Sequence, residues 1–221
     1  MKKCIVIIAI FLVMAVCDVF TKAQAAKVLL IPREGGSADI ELMLTKEVGV
    51  MVAILEKAGF EVVVATASGA PVVAATTTLR PDLKLADVKV ADYVGFILAC
   101  KAVGLFPGPP QPAEAVAIVK KAVAQGKPVA AQLGAVYVLA EAGVLKGKRY
   151  AYLEDPFKAT KSHGKDTRYT GAIYSGYGVV QDGNIMTSGV CPLIEKVAGL
   201  PDETEKLTNA LVAELKSKKA K

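Results

Sequence analysis

The chain has 221 residues, of which 53% are hydrophobic and 22% charged, and its formal net charge is +6 at pH 7. This length fits one domain whose core is large enough to fold without a disulfide scaffold. The positive charge is mild and comes partly from a lysine-rich C-terminal tail, and basic residues do not interleave with aromatic ones. The composition therefore excludes a typical nucleic-acid-binding surface.

The first 25 residues have the pattern of a secretory signal peptide. A basic start is followed by an uncharged run over Cys4–Cys17 and by the small-x-small sequence Ala23-Gln24-Ala25. The apolar run is shorter than the roughly 20 residues that span a bilayer, so we expect no permanent membrane span. Lipid attachment at Cys17 is the less favoured alternative. We predict cleavage near Ala25 and a periplasmic or secreted single domain over 26–221.

The remaining chain alternates strand and helix patterns. In chain order these predict a strand over 27–32, a helix over 39–58, strands over 60–65 and 93–99, a helix over 113–124, a strand over 128–132, a helix over 135–142, a strand over 150–153, a hairpin of 171–180 with 184–188, and a helix over 203–216. Such alternation predicts a mostly parallel, doubly wound sheet in a three-layer α/β sandwich. Ligands bind such sheets at the carboxyl ends of the strands, so the residues after Pro32, Ala99, Gln132 and Ser188 are the place for a site.

The segment Gly126–Gly147 resembles the ThiJ/PfpI family. The Gly-Lys-Pro-Val-Ala-Ala entry and the Leu-Ala-Glu-Ala-Gly-Val-Leu-Lys-Gly exit are typical of it, and Val179–Ser188 is similar to the closing hairpin of the family. The resemblance covers nearly all of 26–221. It implies a flavodoxin-like, glutamine-amidotransferase-like fold and a homodimer, and we expect no cofactor.

The family's nucleophilic cysteine has no counterpart in the matching turn. Aligned through that entry and exit without a gap, its position holds Leu133, between Gln132 and Gly134. A leucine has no nucleophilic atom, and neither neighbour is a cysteine, so the resemblance implies a degenerate elbow with no catalytic residue. Two other pocket loops also depart from the family. Ala99 and Cys100 stand where a proline-glycine-glycine turn is usual, and Gly189 stands where an arginine is common.

The predicted helix over 39–58 carries an apolar stripe that contains one acidic residue. Six apolar residues share the stripe by helical periodicity: Ile40, Met43, Leu44, Met51, Ile54 and Ala58. Glu47 lies in its middle, where a carboxylate must be buried or face a cleft. Glu47 also matches a family glutamate by its spacing of 12 residues before Gly59, which implies a place in the pocket. A half-exposed position at the edge of the sheet is the alternative.

Two cysteines remain after the predicted cleavage, Cys100 and Cys191. Each follows a predicted strand at the pocket edge, so they form a candidate disulfide in an oxidising compartment. A pair of free thiols, or one thiol acting as a substitute nucleophile, is the alternative. His163 and Asp155 fall in a polar segment and are interpreted as loop residues, and no spacing predicts a metal site.

The pocket candidates are Glu47, Ala99, Cys100, Leu133, Gly134, Gly189 and Cys191. Two functional hypotheses follow from them. The first is a non-catalytic module that binds a small molecule or a protein. The second is a thiol-dependent hydrolase or a redox or stress protein that uses Cys100 or Cys191.

Overall fold

Runs of aliphatic and β-branched residues form the central strands of the structure, a computed structural model that describes residues 25–35, 39–101, 111–153 and 166–219. Almost all of the predicted signal segment, together with Asp155 and His163, lies outside those residues. The strands are β1 (Lys27–Ile31), β2 (Glu61–Thr66), β3 (Val72–Val73), β4 (Thr78–Leu79), β5 (Leu83–Lys84), β6 (Tyr93–Leu98), β7 (Val129–Gln132), β8 (Arg149–Tyr150), β9 (Ile173–Tyr174), β10 (Val180–Asp182) and β11 (Ile185–Ser188).

Five helices accompany these strands in the described residues. The first, α1, is α-helical over Ile40–Leu42, π-helical over Met43–Val48 and α-helical again over Gly49–Lys57. The others are α2 (Ala113–Ala124), α3 (Val136–Glu141), α4 (Pro192–Ala198) and α5 (Thr204–Lys219). A short 3-10 turn, Leu133–Ala135, joins β7 to α3.

Seven strands form the central sheet in the order β10-β11-β7-β6-β1-β2-β5. The pairings from β11 to β5 are parallel, and β10 runs antiparallel to β11 at one edge. In the centre, Leu29 of β1 lies opposite Val63 on one side and Phe96 on the other. The prediction of a mostly parallel, doubly wound sheet is confirmed.

The two faces of the sheet carry separate apolar layers. Helices α1 and α5 pack together on one face, and α2 and α3 pack together on the other. Side chains of a strand alternate between faces, so Val28 and Leu30 join the first layer while Leu29 and Ile31 join the second. Burial on both sides explains why β1 is a continuous apolar run.

Several short elements differ from the prediction. The hairpin at Asp182 is confirmed, but its first strand is only β10, because Ile173–Tyr174 pairs in parallel with β8 instead. The predicted strand over 150–153 is reduced to Arg149–Tyr150, and α4 and β3 to β5 were not predicted. The unpredicted strands β3, β4 and β5 have only two residues each. Pairing with other strands stabilises them, because two residues are too few for a recognisable strand pattern in the sequence.

None of the helices in the described ranges is both long enough and apolar enough to cross a bilayer.

Candidate functional site

The loops that follow β1, β6 and β11 meet the π-helical turn of α1 at the carboxyl edge of the sheet. The space between them is nowhere wide enough for a water molecule. Its walls are Arg33, Asp39, Leu42, Met43, Glu47, Cys100, Cys191, Pro192 and Leu193. This is the edge at which parallel α/β sheets bind ligands, and the pocket is closed in this conformation.

Glu47 lies on the π-helical turn and is 1% exposed. Its Oε1 accepts a hydrogen bond from the backbone N–H of Cys100 at 2.5 Å. Burial raises the pKa of Glu47 well above its ordinary value, and the neighbouring Cys100 adds to the shift. The shift favours the neutral carboxylic acid, whose O–H group can donate.

Cys100 and Cys191 are both buried, and no disulfide joins them in the part of the chain that the structure describes. Their thiols are hydrogen-bonded to each other, and this contact together with burial raises the pKa of Cys191. A raised pKa keeps a thiol protonated and lowers its reactivity as a nucleophile. The structure thus brings the two cysteines together, and their disulfide remains a prediction.

Leu133 occupies a strained strand-to-helix turn. Its φ of +42° makes it the one non-glycine residue with positive φ among those described. Such a turn is the geometry of a nucleophile elbow, in which a side chain is raised above the end of the sheet. Here that side chain is an aliphatic group, 8% exposed, in the apolar layer that also contains both cysteines.

Gln132, just before this turn, forms hydrogen bonds that connect neighbouring elements of the fold. Its Nε2 donates to the carbonyl oxygen of Val190 and to Oγ1 of Thr204, each at 2.8 Å. These bonds join β7 to the loop after β11 and to the first turn of α5. Gln132 is fully buried and does not line the pocket.

Three other candidates, Ala99, Gly134 and Gly189, are buried beside the pocket but are not part of its walls. Gly189 packs against backbone: a Cβ there would lie 2.6 Å from the carbonyl carbon of Tyr152 and 2.7 Å from the nitrogen of Leu153. An arginine at this position, common in the resembling family, would not fit this backbone.

Two basic residues near the pocket were missed at the sequence level. Arg33 is 8% exposed, and its Nη2 donates to Oδ2 of Asp39 at 3.0 Å. Lys101 donates from Nζ to the carbonyl oxygen of Pro32 at 2.7 Å. Burial lowers the pKa of Lys101 to about 8, against the opposing effect of Glu34. The sequence signal that could have found them is their position two and three residues after the ends of β1 and β6, respectively.

The described residues contain no cluster of three or more histidine, cysteine, aspartate or glutamate side chains that could hold a metal ion.

Comparison with known proteins agrees with this architecture. The sequence model of the DJ-1/PfpI family matches residues 26–196. An uncharacterized protein of Archaeoglobus fulgidus is 35% identical over 119 residues, which is 50% of this chain and 60% of that protein. This chain therefore matches less than two thirds of that relative's length.

Solved structures show the same fold at low sequence identity. A ThiJ/PfpI domain protein from Brachyspira murdochii has a TM-score of 0.64 and 18% identity, covering 87% of this chain and 98% of that chain. DJ-1beta of Drosophila melanogaster has a TM-score of 0.58 and 22% identity, covering 86% and 90%. Rapid Encystment Protein 24 KDa of Francisella tularensis has a TM-score of 0.61 and 15% identity, covering 86% and 99%.

Proposed function

This chain belongs to the DJ-1/PfpI family, and from that premise we propose that it is an exported binding protein that lacks the cysteine chemistry of its family. The elbow at Leu133 carries the proposal. The strained turn is present, with φ of +42°, but it presents a side chain that can form no covalent intermediate. The protein keeps the scaffold of a nucleophile site without the nucleophile.

The chemistry of the pocket also favours binding over turnover. Burial raises the pKa of Glu47, and the thiol contact with Cys100 together with burial raises the pKa of Cys191. The shifts favour the protonated carboxyl and the protonated thiol, which are a poor base and a poor nucleophile. The family match begins at residue 26, which is compatible with the proposed cleavage near Ala25. A homodimer is proposed from family resemblance alone.

Turnover assays test this function. Purified protein should show no glyoxalase, deglycase or hydrolase activity above a blank, whereas a DJ-1/PfpI member with a cysteine elbow serves as the positive control. Glu47→Gln and the double change Cys100→Ser, Cys191→Ser should leave that baseline unchanged. Robust turnover in the parent protein that either variant abolishes would refute the proposal.

The contact between the two thiols favours a second candidate, a redox protein. Oxidation would join Cys100 and Cys191, with two electrons and two protons passing to a hydroperoxide that is reduced to an alcohol and water. The proximity of the sulfur atoms favours this step, and the raised pKa of Cys191 slows it. Intact-mass measurement after peroxide treatment decides: the loss of two hydrogens, absent in Cys191→Ser, supports this role, and an unchanged dithiol excludes it.

A further inference from the structure

Two buried polar side chains, Arg33 and Glu47, line the same pocket without bonding to each other. The Nη2 of Arg33 donates a hydrogen bond to Asp39, whereas its buried Nε–H has no hydrogen-bond partner among the described residues. A buried donor without an acceptor carries its full desolvation cost, and such groups are rare in native proteins. The orphaned N–H therefore marks a place where an acceptor is missing.

Asp39 is the one side chain in the pocket wall that can only accept, and it already pairs with Arg33, whereas the remaining polar groups can donate. Glu47 uses Oε1 to accept from the Cys100 backbone, so its proton is best placed on Oε2, where the O–H can donate. The thiols of Cys100 and Cys191 are weak donors as well. Lys101, whose charge interacts with Glu47 and Arg33, adds a cation behind this wall. A ligand that reaches the Arg33 Nε–H and the Glu47 side chain must therefore accept hydrogen bonds.

Size restricts the ligand further. The walls leave no space wide enough for a water molecule. A ligand enters only if the Arg33 side chain or the start of α4, which supplies Pro192 and Leu193, moves aside. A flat two-oxygen group needs less displacement than a tetrahedral anion, and it matches the planar guanidinium in shape.

We propose that Arg33 and Glu47 form a recognition site for the carboxylate of a small organic acid of one to three carbons. One carboxylate oxygen accepts from Nε of Arg33, and the other accepts from the protonated Glu47 side chain. The assignment rests on the proposed binding function, since it names the ligand class of that pocket.

Titration with sodium acetate and sodium formate tests the site, with sodium chloride at equal ionic strength as the blank. The readout is the NMR signal of the Arg33 Nε–H, identified by its loss in Arg33→Lys. We expect a saturable shift with both acids and no shift with chloride. By calorimetry, Arg33→Lys should weaken acetate binding at least tenfold, while Arg80→Lys, at an exposed arginine, should leave it unchanged.

Substitutions of Glu47 test whether its side chain donates a hydrogen bond to the ligand or only fills space in the pocket. Glu47→Gln still offers N–H donors and should bind acetate within about threefold of the parent protein, whereas Glu47→Leu should lose binding, as Arg33→Lys does. The assignment is overturned if acetate shifts no Arg33 signal, if Glu47→Leu binds normally, or if inorganic phosphate binds as tightly as acetate. These experiments measure binding and not turnover. A failure to bind acetate would therefore overturn the ligand assignment without deciding whether the protein is catalytic.

Discussion

Glu47 makes the stability of the protein depend on pH, because burial raises the pKa of its carboxyl group. Its pKa is raised above the ordinary value of 4.5 by burial, so between that value and the raised pKa the folded chain holds a proton that the unfolded chain has lost. The contribution to stability is therefore full below pH 4.5 and is lost as the pH rises. The slope per such proton is at most about 1.4 kcal/mol per pH unit.

Glu47→Gln should remove this dependence, because the amide can accept from the Cys100 N–H but does not ionise. Urea unfolding between pH 5 and 8 should show the variant gaining about 1 kcal/mol or more over the parent protein as the pH rises. Glu56→Gln, at an exposed position of the same helix, is the matched control and should follow the parent. Parallel curves for the parent and Glu47→Gln would contradict the buried neutral acid.

Some individual site residues can be predicted from the sequence and others cannot, for physical reasons. The burial of Glu47 could be predicted because helical periodicity puts it inside an apolar stripe. The meeting of Cys100 and Cys191 could be predicted because both follow parallel strands. Arg33 could not, since a basic residue in a loop is usually solvated, and its burial depends on Asp39 and on a distant turn of α1.

In the turn after β11, the backbone at Gly189 packs closely against the backbone of neighbouring segments. A Cβ at Gly189 would lie 2.6 to 2.9 Å from atoms of Tyr152, Leu153 and Tyr177, all of them backbone. Gly189→Ala should therefore lower the free energy of unfolding by about 1–3 kcal/mol, the usual cost of overpacking. Urea denaturation measures the change.

Gly178→Ala is the control for this substitution. A Cβ at Gly178 meets nothing within 4 Å, and its backbone is not among those with positive φ. We expect a change of less than about 0.5 kcal/mol. Equal losses in the two variants would show that the close approach at Gly189 relaxes without cost.

Some helices and strands can be predicted from the sequence and others cannot. The long buried strands β1, β2, β6 and β7 and the helices α2 and α5 are predictable because their own periodicity and end residues specify them. The π-helical turn of α1 is not, because a helix sequence of 18 residues looks continuous and only tertiary contacts make one turn wide. The burial along α1 also differs from the predicted stripe: Val48 and Leu55 are buried, whereas Ile54 is partly exposed.

For the whole molecule, the open prediction concerns location. Expression of the complete reading frame in a bacterial host should give a processed protein outside the cytoplasm whose first residue is Ala26. N-terminal sequencing and intact mass measure this, and Ala25→Phe, which removes the small residue at the cleavage site, should block it. Cytoplasmic protein that retains Met1 would contradict export.

The family was predictable at this scale because Gly126–Gly147 is a long local motif. The closed pocket was not predictable, since its walls come from loops far apart in the chain.

The π-helical turn has a consequence for how this sequence can change. Such a turn holds one residue more than an α-helix needs, so losing any one residue between Met43 and Val48 would leave a regular helix. Because the wide turn absorbs the extra residue, that deletion would keep the two flanking halves of α1 in phase and would change only the directions of the side chains inside the turn. Glu47 lies in that turn and would lose its contact with the backbone N–H of Cys100. The extra residue is thus kept by the pocket, and lineages that abandon the pocket are free to shorten the helix.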